Sequence, residues 1–501
     1  MTASLPTTST DEATRSPAWQ PWIWLLLYFG AQLVSRVLVS NALELDEAEQ
    51  TLWTQQLQAG YGTQPPLYTW LQWGVFQALG VSVFSLALLK NVLLALTYTF
   101  VLLAARVVVA PPLAIAASAC MLLLPQIGWE SQRDLTHSVL VTTFAAATLY
   151  VVVQLLRRPR PALYLALGLV AGLGVLGKYS YVAFIVALGL ALLMGRDTRK
   201  VLLDPWIIAA ALVALAIVTP HALWLLDHWR QAAQGTVDKL GSQESASRAG
   251  RATLGLGSLL LAILEFAGLW AVVMLAVFGR SIWHRSPSPQ GPMDDAMLPD
   301  TGKLWARYAI VLTVLFIGMV LLGDVTKFKD RWMQPFLFMV PLVFFTCSPQ
   351  LARHPRLGVL PRILAGVAIL LVVLIALRTP VAAWRGRFDE LNFPMPELAW
   401  TLRQHGYDGR ATIFTSERVL GGALRLQFPQ AAVRVARDDP APPGDRPLLV
   451  VDSIAGPHAG TAALDAAQVI AAGQTIMDTA LPYRYARPAS ELARYRYRLI
   501  D

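Results

Sequence analysis

The chain has 501 residues, 55% of them hydrophobic, with a formal charge of +9 and a mean hydropathy of +0.50. So apolar a composition excludes a single soluble domain and fits a polytopic membrane protein. The positive charge implies no nucleic acid, because cytoplasmic loops of membrane proteins carry Arg and Lys in excess. The two cysteines, Cys120 and Cys347, each lie in an apolar run and predict no disulfide framework.

In chain order, residues 1–18 are polar and rich in Ser, Thr and Pro. They predict a disordered cytoplasmic tail and no cleavable signal peptide. Trp19, Trp22 and Trp24 then form an aromatic anchor at the first membrane boundary. Apolar runs at 19–40, 83–108, 111–128, 135–156, 161–177, 179–195, 203–223, 255–279, 304–323, 332–347 and 359–378 predict a helical membrane domain over 19–379. At about 20 apolar residues per span, that makes about eleven transmembrane helices. Residues 41–82 form an outer loop, with an additional interfacial helix over 67–80.

With the N-terminus cytoplasmic, Arg106, the Arg157–Arg160 loop, Arg196 to Lys200, Arg280 to Arg285 and Arg353 to Arg362 all fall inside. The opposite face holds the Asp46 loop, Arg133-Asp134, Lys178, a loop over 224–254 and the Lys327–Arg331 segment. That face is not poor in cations, and function is one explanation.

Residues 380–501 change character. Short β-like runs at 410–415 and 446–451, a helical stretch over 461–472 and a Tyr- and Arg-rich end over 482–501 predict a soluble α/β domain. An odd number of spans places it outside, in the periplasm of a bacterium.

The candidate chemistry starts at Asp46, Glu47 and Glu49, three acidic residues in four positions just beyond the first apolar run. A carboxylate at the mouth of a membrane bundle can take a proton from an acceptor hydroxyl, and like-charge neighbours raise its pKa into a useful range. A solvated acidic loop, or carboxylates decorating a helix N-terminus, would give the same sequence. Pro65-Pro66 sets a rigid turn before the helix at 67–80.

Arg133 and Asp134 sit between two apolar runs, as a salt bridge or as part of a site. Lys178, also between apolar runs, is costly at membrane depth and suits a phosphate, unless it snorkels to the interface. Asp227 and His228 could hold a divalent cation or pair with Arg230. Lys327, Lys329 and Arg331 place three cations in five residues on the outer face, where a phosphate or lipid headgroup would justify them. An acid, three basic sites and a possible cation site on one face suit a lipid-linked phosphosugar.

These residues, in this order, resemble glycosyltransferase family 39, a group of GT-C enzymes. It includes protein O-mannosyltransferases and the bacterial aminoarabinose transferases that modify lipid A. Leu45-Asp46-Glu47-Ala48 resembles the family's Asp-Glu pair, whose Asp is the catalytic base. Tyr61 with Gln64-Pro65-Pro66 resembles the following Tyr and His/Lys-Pro-Pro segment. Arg133-Asp134 is similar to the second outer acidic position, and Gly177-Lys178 to the Lys that meets the donor phosphate. Asp227-His228 with Arg230 resembles a Glu-His-Arg stretch whose His can join a metal site, and Lys327-Phe328-Lys329 resembles a late Lys-x-Lys segment.

The resemblance covers about residues 20–347 and implies a GT-C bundle. It implies inverting transfer of a sugar from a polyprenyl-phosphate donor to an envelope acceptor, which is lipid A, lipopolysaccharide core or another glycolipid. Asp46 and Glu47 are the implied catalytic pair. Lys178, Arg133, Lys327, Lys329 and Arg331 meet the phosphate, while Glu49, Tyr61, Gln64 and Asp134 order the site. His228 and Asp227 are the implied ligands of a divalent metal cation.

Two departures stand out. Gln64 replaces a His or Lys, which puts one contact in doubt. Thr63 replaces the acidic partner of the metal His. The Asp46–Gln50 and Gln64–Tyr68 variants resemble a subgroup found with lipopolysaccharide-core sugar transferases. The rival readings are a protein O-mannosyltransferase and a flippase for a lipid-linked sugar. Inverted repeats would mark the flippase, and the sequence shows none.

Overall fold

In the computed structural model, residues 20–240, 247–282, 301–456, 458–468, 475–488 and 490–500 are described. The predicted tail at 1–18, Trp19 and part of the predicted helix at 461–472 lie outside them. The chain opens with α1 (Gln20–Val39). The outer loop that follows is itself structured as α2 (Leu45–Trp53), a tight turn at 61–64 and α3 (Leu67–Leu79). The long apolar α4 (Val83–Val108) leads to α5 (Pro111–Ala119).

The run predicted as one span over 111–128 does not continue as one helix. It breaks at Leu124-Pro125, and its halves, 111–123 and 126–133, meet at 73°. The second half is a π-turn over Gln126–Glu130 followed by α6 (Ser131–Arg133). Such π-turns recur at functional sites. Here it turns Glu130, Arg133 and Asp134 out of the bundle and hands the chain to α7 (His137–Arg157).

The bundle continues through α8 (Pro161–Gly177), α9 (Ser180–Leu193), α10 (Lys200–Leu203), α11 (Trp206–Leu240), α12 (Arg248–Phe278) and α13 (Thr301–Leu321). It closes with the short α14 (Gln334–Leu337), α15 (Val340–Cys347) and the long α16 (Leu360–Trp384).

Seven of the described helices are long and apolar enough to cross a membrane, or eight with the bent pair as one span. This is a multi-pass membrane protein. The difference from eleven has local causes. α8 and α9 are apolar but have only 17 and 14 residues. Pro335 and Pro341 cut the run at 332–347 into pieces. α11 runs past 223, so Asp227, His228 and Arg230 stand on a helix and not in a loop.

The soluble domain is built on period-two strands. Its five-stranded sheet has the order β2-β1-β3-β5-β4. The strands are β1 (Thr412–Thr415), β2 (Val433–Val435), β3 (Leu448–Ser453), β4 (Met477–Pro482) and β5 (Leu492–Ile500). β1 is parallel to β2 and β3, and β5 is antiparallel to β3 and β4.

Alternate residues face opposite layers. Ile413, Leu449 and Val451 pack under α17 (Met395–Gln404) and α18 (Arg418–Gln427). Phe414, Leu448 and Val450 pack under α19 (Ala462–Ala467). The α17–α18 layer also takes in Ala42 and Leu52 from the outer loop, so the domain's core extends into the membrane part.

Candidate active site

α2 is short and starts with carboxylates at its N-terminus, where the helix dipole favours them. Helical spacing splits it into two stripes. Asp46, Gln50 and Trp53 share one face, and Ala48 and Leu52 share the face roughly opposite.

On the first face, Asp46 reaches the segment that leads into α7. Its Oδ2 accepts from the Thr136 backbone N–H at 3.0 Å and from the Thr136 hydroxyl at 3.1 Å. Its own N–H donates to Asp134 Oδ1 at 3.1 Å. Burial, and then the Asp134 and Glu49 carboxylates, push the Asp46 carboxyl up to about 7. The Lys90 charge and the Thr136 hydroxyl pull the other way. Desolvation and like charge produce a carboxylate poised near neutrality.

The next two residues of the same turn hold the rest. His137 Nε2 accepts from Gln50 Nε2 at 3.3 Å and its Nδ1 donates to the Gly177 carbonyl at 3.2 Å, an assignment of donors set by the network. Thr69 completes it by donating to Gln50 Oε1 at 2.9 Å. Ser138 Oγ accepts from Lys178 Nζ at 2.7 Å. Consecutive residues 136, 137 and 138 thus hold a carboxylate, a polar network and an ammonium.

Glu47 lies elsewhere. It is 1% exposed, and Arg36 grips it through two N–H groups at 3.0 and 2.5 Å. Lys90 stands 3.9 Å away and the Glu44 N–H donates to it at 3.3 Å. Burial pushes its carboxyl up, but the Arg36 and Lys90 charges outweigh that and hold it below the usual range. Lys90 also donates to the Arg133 carbonyl at 3.2 Å, which ties α4 to the Asp134 turn. Arg36, Lys90, Thr136 and Gln50 are the residues sequence reasoning missed. The available signal was a lone cation inside an apolar run, as at Arg36 and Lys90.

The other predicted residues divide. Glu49 accepts from Arg418 of the soluble domain at 2.6 Å. Tyr61 is buried, closes the 61–64 turn through paired backbone bonds with Gln64, and donates its hydroxyl to the Gln56 carbonyl at 2.9 Å. Gln64 is half-buried in that turn. Arg133 pairs with Glu130 at 3.2 Å.

The basic segment is moored to the π-turn. Gln126 donates to Asp330, and Gln334 donates to the Gln126 carbonyl at 2.6 Å and to Ser131 at 3.0 Å. Lys329 and Arg331 are half-buried there, and Lys327 is exposed.

Asp227 and His228 are both exposed, with His228 stacked on Trp224 and its Nδ1 on the Trp224 carbonyl. Among the described residues no three His, Cys, Asp or Glu come together as a metal site. Asp227 and His228 therefore stand as two adjacent exposed donors on α11.

A helical membrane bundle with an α/β domain docked on its outer loop, and the Asp46 carboxylate at that junction, fit the GT-C class of membrane glycosyltransferases. The fold is similar to ArnT of Cupriavidus metallidurans. It matches the form bound to undecaprenyl phosphate with a TM-score of 0.57 at 12% identity over 96% of this chain and 98% of that one. It matches the apo form with a TM-score of 0.54.

A family model described as dolichyl-phosphate-mannose-protein mannosyltransferase matches residues 63–224. Two relatives are lipopolysaccharide core galacturonosyltransferases of Rhizobium johnstonii. RgtB is 36% identical over 86% of each chain, and RgtA is 34% identical over 94% of this chain and 95% of its own. The chain belongs to the family 39-like GT-C glycosyltransferases, the family that the Asp46, Lys178 and Lys327 segments pointed to.

Proposed function

We propose that this glycosyltransferase moves a galacturonosyl unit from a polyprenyl-phosphate carrier to a sugar of lipopolysaccharide, on the periplasmic face of a bacterial inner membrane. The observation that carries the sugar and the acceptor is the near-full-length similarity to two lipopolysaccharide core galacturonosyltransferases. The undecaprenyl phosphate held by the ArnT structure of the same fold supports the donor class. The N-terminus is cytoplasmic and the soluble domain periplasmic in this reading.

Asp46 takes the proton of the acceptor hydroxyl as its oxygen attacks the anomeric carbon. The bond from that carbon to the phosphate oxygen breaks, polyprenyl phosphate leaves and the configuration inverts. A base near neutrality suits this step. Lys178, at the end of α8 and bonded to Ser138, neutralises the departing phosphate, helped by Arg133 and the Lys327–Arg331 segment. Glu47 and Asp134 fix the position of α2.

The protein-mannosyl reading rests on a family model that covers only residues 63–224. The test is mass spectrometry of lipopolysaccharide and envelope lipids from a deletion strain, complemented with wild type or Asp46→Asn. A uronate-sized mass lost on deletion and restored by wild type alone is expected. Unchanged lipopolysaccharide with altered glycoproteins would overturn the acceptor. Donor accumulating on the inner leaflet would replace transfer by transport.

A further inference from the structure

α2 is held from both sides. The membrane part takes the stripe that carries Asp46, and the soluble domain takes the opposite one. Gly422 of α18 lies against Ala48 so closely that a Cβ there would fall 2.5 Å from the Ala48 Cα. Arg425 donates to the Thr54 hydroxyl at 2.9 Å. The Gln55 amide pairs with both backbone groups of Val433, at 2.8 and 3.0 Å. At the end of the contact nearest the site, Arg418 donates to Glu49 at 2.6 Å while also pairing with Asp438. Its guanidinium lies 6.0 Å from the centre of the Trp53 ring, on the Asp46 stripe.

We propose that Arg418 is a positioning residue for the transfer reaction: the soluble domain reaches into the site through it, grips Glu49 and so fixes both the placement of α2 and the negative charge that Asp46 meets. The proposal rests on Asp46 being the base.

The groups facing Asp46 are Asp134 and Thr136 from the turn before α7, Lys90 from α4, Tyr68 from α3, and Glu49 from α2 itself. Of these charges, the Glu49 carboxylate is the one the soluble domain holds directly. Glu49 adds to the repulsion that lifts the Asp46 carboxyl. Removing the Arg418 charge strengthens that repulsion, and removing the Glu49 charge relieves it. A base works ionised, so the acid limb of the rate profile follows its carboxyl.

The experiment measures kcat/KM against pH for the full-length protein in detergent or nanodiscs. The variants are wild type, Arg418→Gln, Arg418→Lys, Glu49→Gln, the double Arg418→Gln/Glu49→Gln and Asp46→Asn. Arg418→Gln moves the acid limb to higher pH and Glu49→Gln moves it to lower pH, each by about one pH unit, the scale of one charge near a partly buried carboxyl. The double variant follows Glu49→Gln, and Arg418→Lys stays near wild type.

A bridge that served only to hold the helix would be broken equally by either single change. Equal losses of kcat with an unmoved acid limb would therefore overturn the proposal. Size-exclusion profiles identify any variant that fails to fold; if Arg418→Gln is one, Glu49→Gln and the double variant still test the shared shift to lower pH, and an unmoved limb in both would overturn the proposal. An active Asp46→Asn would sink the base itself. An inactive Asp46→Asn with unmoved limbs in the other variants would sink Arg418 alone.

Discussion

Glu47→Gln separates an anchor from a chemical role. Glu47 receives two charge-assisted hydrogen bonds from Arg36, at 3.0 and 2.5 Å, and faces Lys90 at 3.9 Å with almost no exposure. Hydrogen bonds to charged groups are worth about 1.5–3 kcal/mol each, and breaking a buried pair from one side costs about 3–5 kcal/mol. Glutamine keeps the shape and one acceptor but leaves Arg36 and Lys90 as neighbouring cations, so a loss of about 3 kcal/mol is expected.

The sign of the pH dependence follows from the depressed Glu47 carboxyl. Its stabilisation is complete above the unfolded value of about 4.3 and is lost as pH falls through the lower folded value. The melting-temperature gap between wild type and variant therefore holds through neutral pH and closes only in acid. Transfer falls as well, because a shift of about 1 Å in α2 can cost roughly 100-fold. The assay is thermal unfolding in detergent beside initial rates taken well below both melting points. A variant with the wild-type melting temperature and no transfer would refute this reasoning and put Glu47 in the chemistry.

Three further outcomes are expected. Asp46→Asn lowers transfer by roughly 10²–10⁴-fold, the usual contribution of a general base. Because the folded Asp46 carboxyl is raised to about 7, it costs stability increasingly as pH rises from the unfolded value of about 3.9 to that range, and fully above it. The Asn variant should thus melt above wild type at about pH 8, by a gap that narrows on acidification and closes only near the unfolded carboxyl value of about 4, and a variant less stable at both ends would contradict the environment described. Lys178→Ala removes one charged contact and should raise the KM for the lipid-phosphate donor roughly 10–100-fold with a smaller change in kcat, measured by donor titration. Gly422→Val forces α18 off Ala48 and should cost about 1–3 kcal/mol by overpacking. Faster proteolysis after Trp384 would report it, and an unchanged digestion pattern would show that the two helices separate without cost.

The family, the outer-loop carboxylate and the soluble domain were legible in the sequence because each leaves a local mark. Apolar runs mark spans, short β-branched and apolar runs mark β1 and β3, and Asp46-Glu47 follows the first run directly. Partners were not legible. Asp46 meets Asp134 and Thr136 across 88 and 90 positions, and no periodicity encodes that meeting. The same limit hid the division of labour between adjacent acids. In one turn of helix, position 46 faces the site and position 47 faces the core, so identical chemistry in sequence becomes a base candidate and an anchor. The break at Pro125 was misread as a straight span because its composition is as apolar as that of the helices around it.

The pairing of Gln55 with Val433 has a consequence for how the protein is made. β2 is an edge strand, and an open edge invites pairing with another chain. A side-chain amide from the outer loop occupies both of its outward backbone groups at Val433. Chains emerge N-terminus first, so the membrane bundle and its outer loop are in place before the sheet exists. The sheet then forms against a waiting cap, and its sticky edge is shielded as soon as it appears. Biogenesis and catalysis draw on the same short helix: its start presents the acid, and the residues just past its end chaperone the domain that docks beside it.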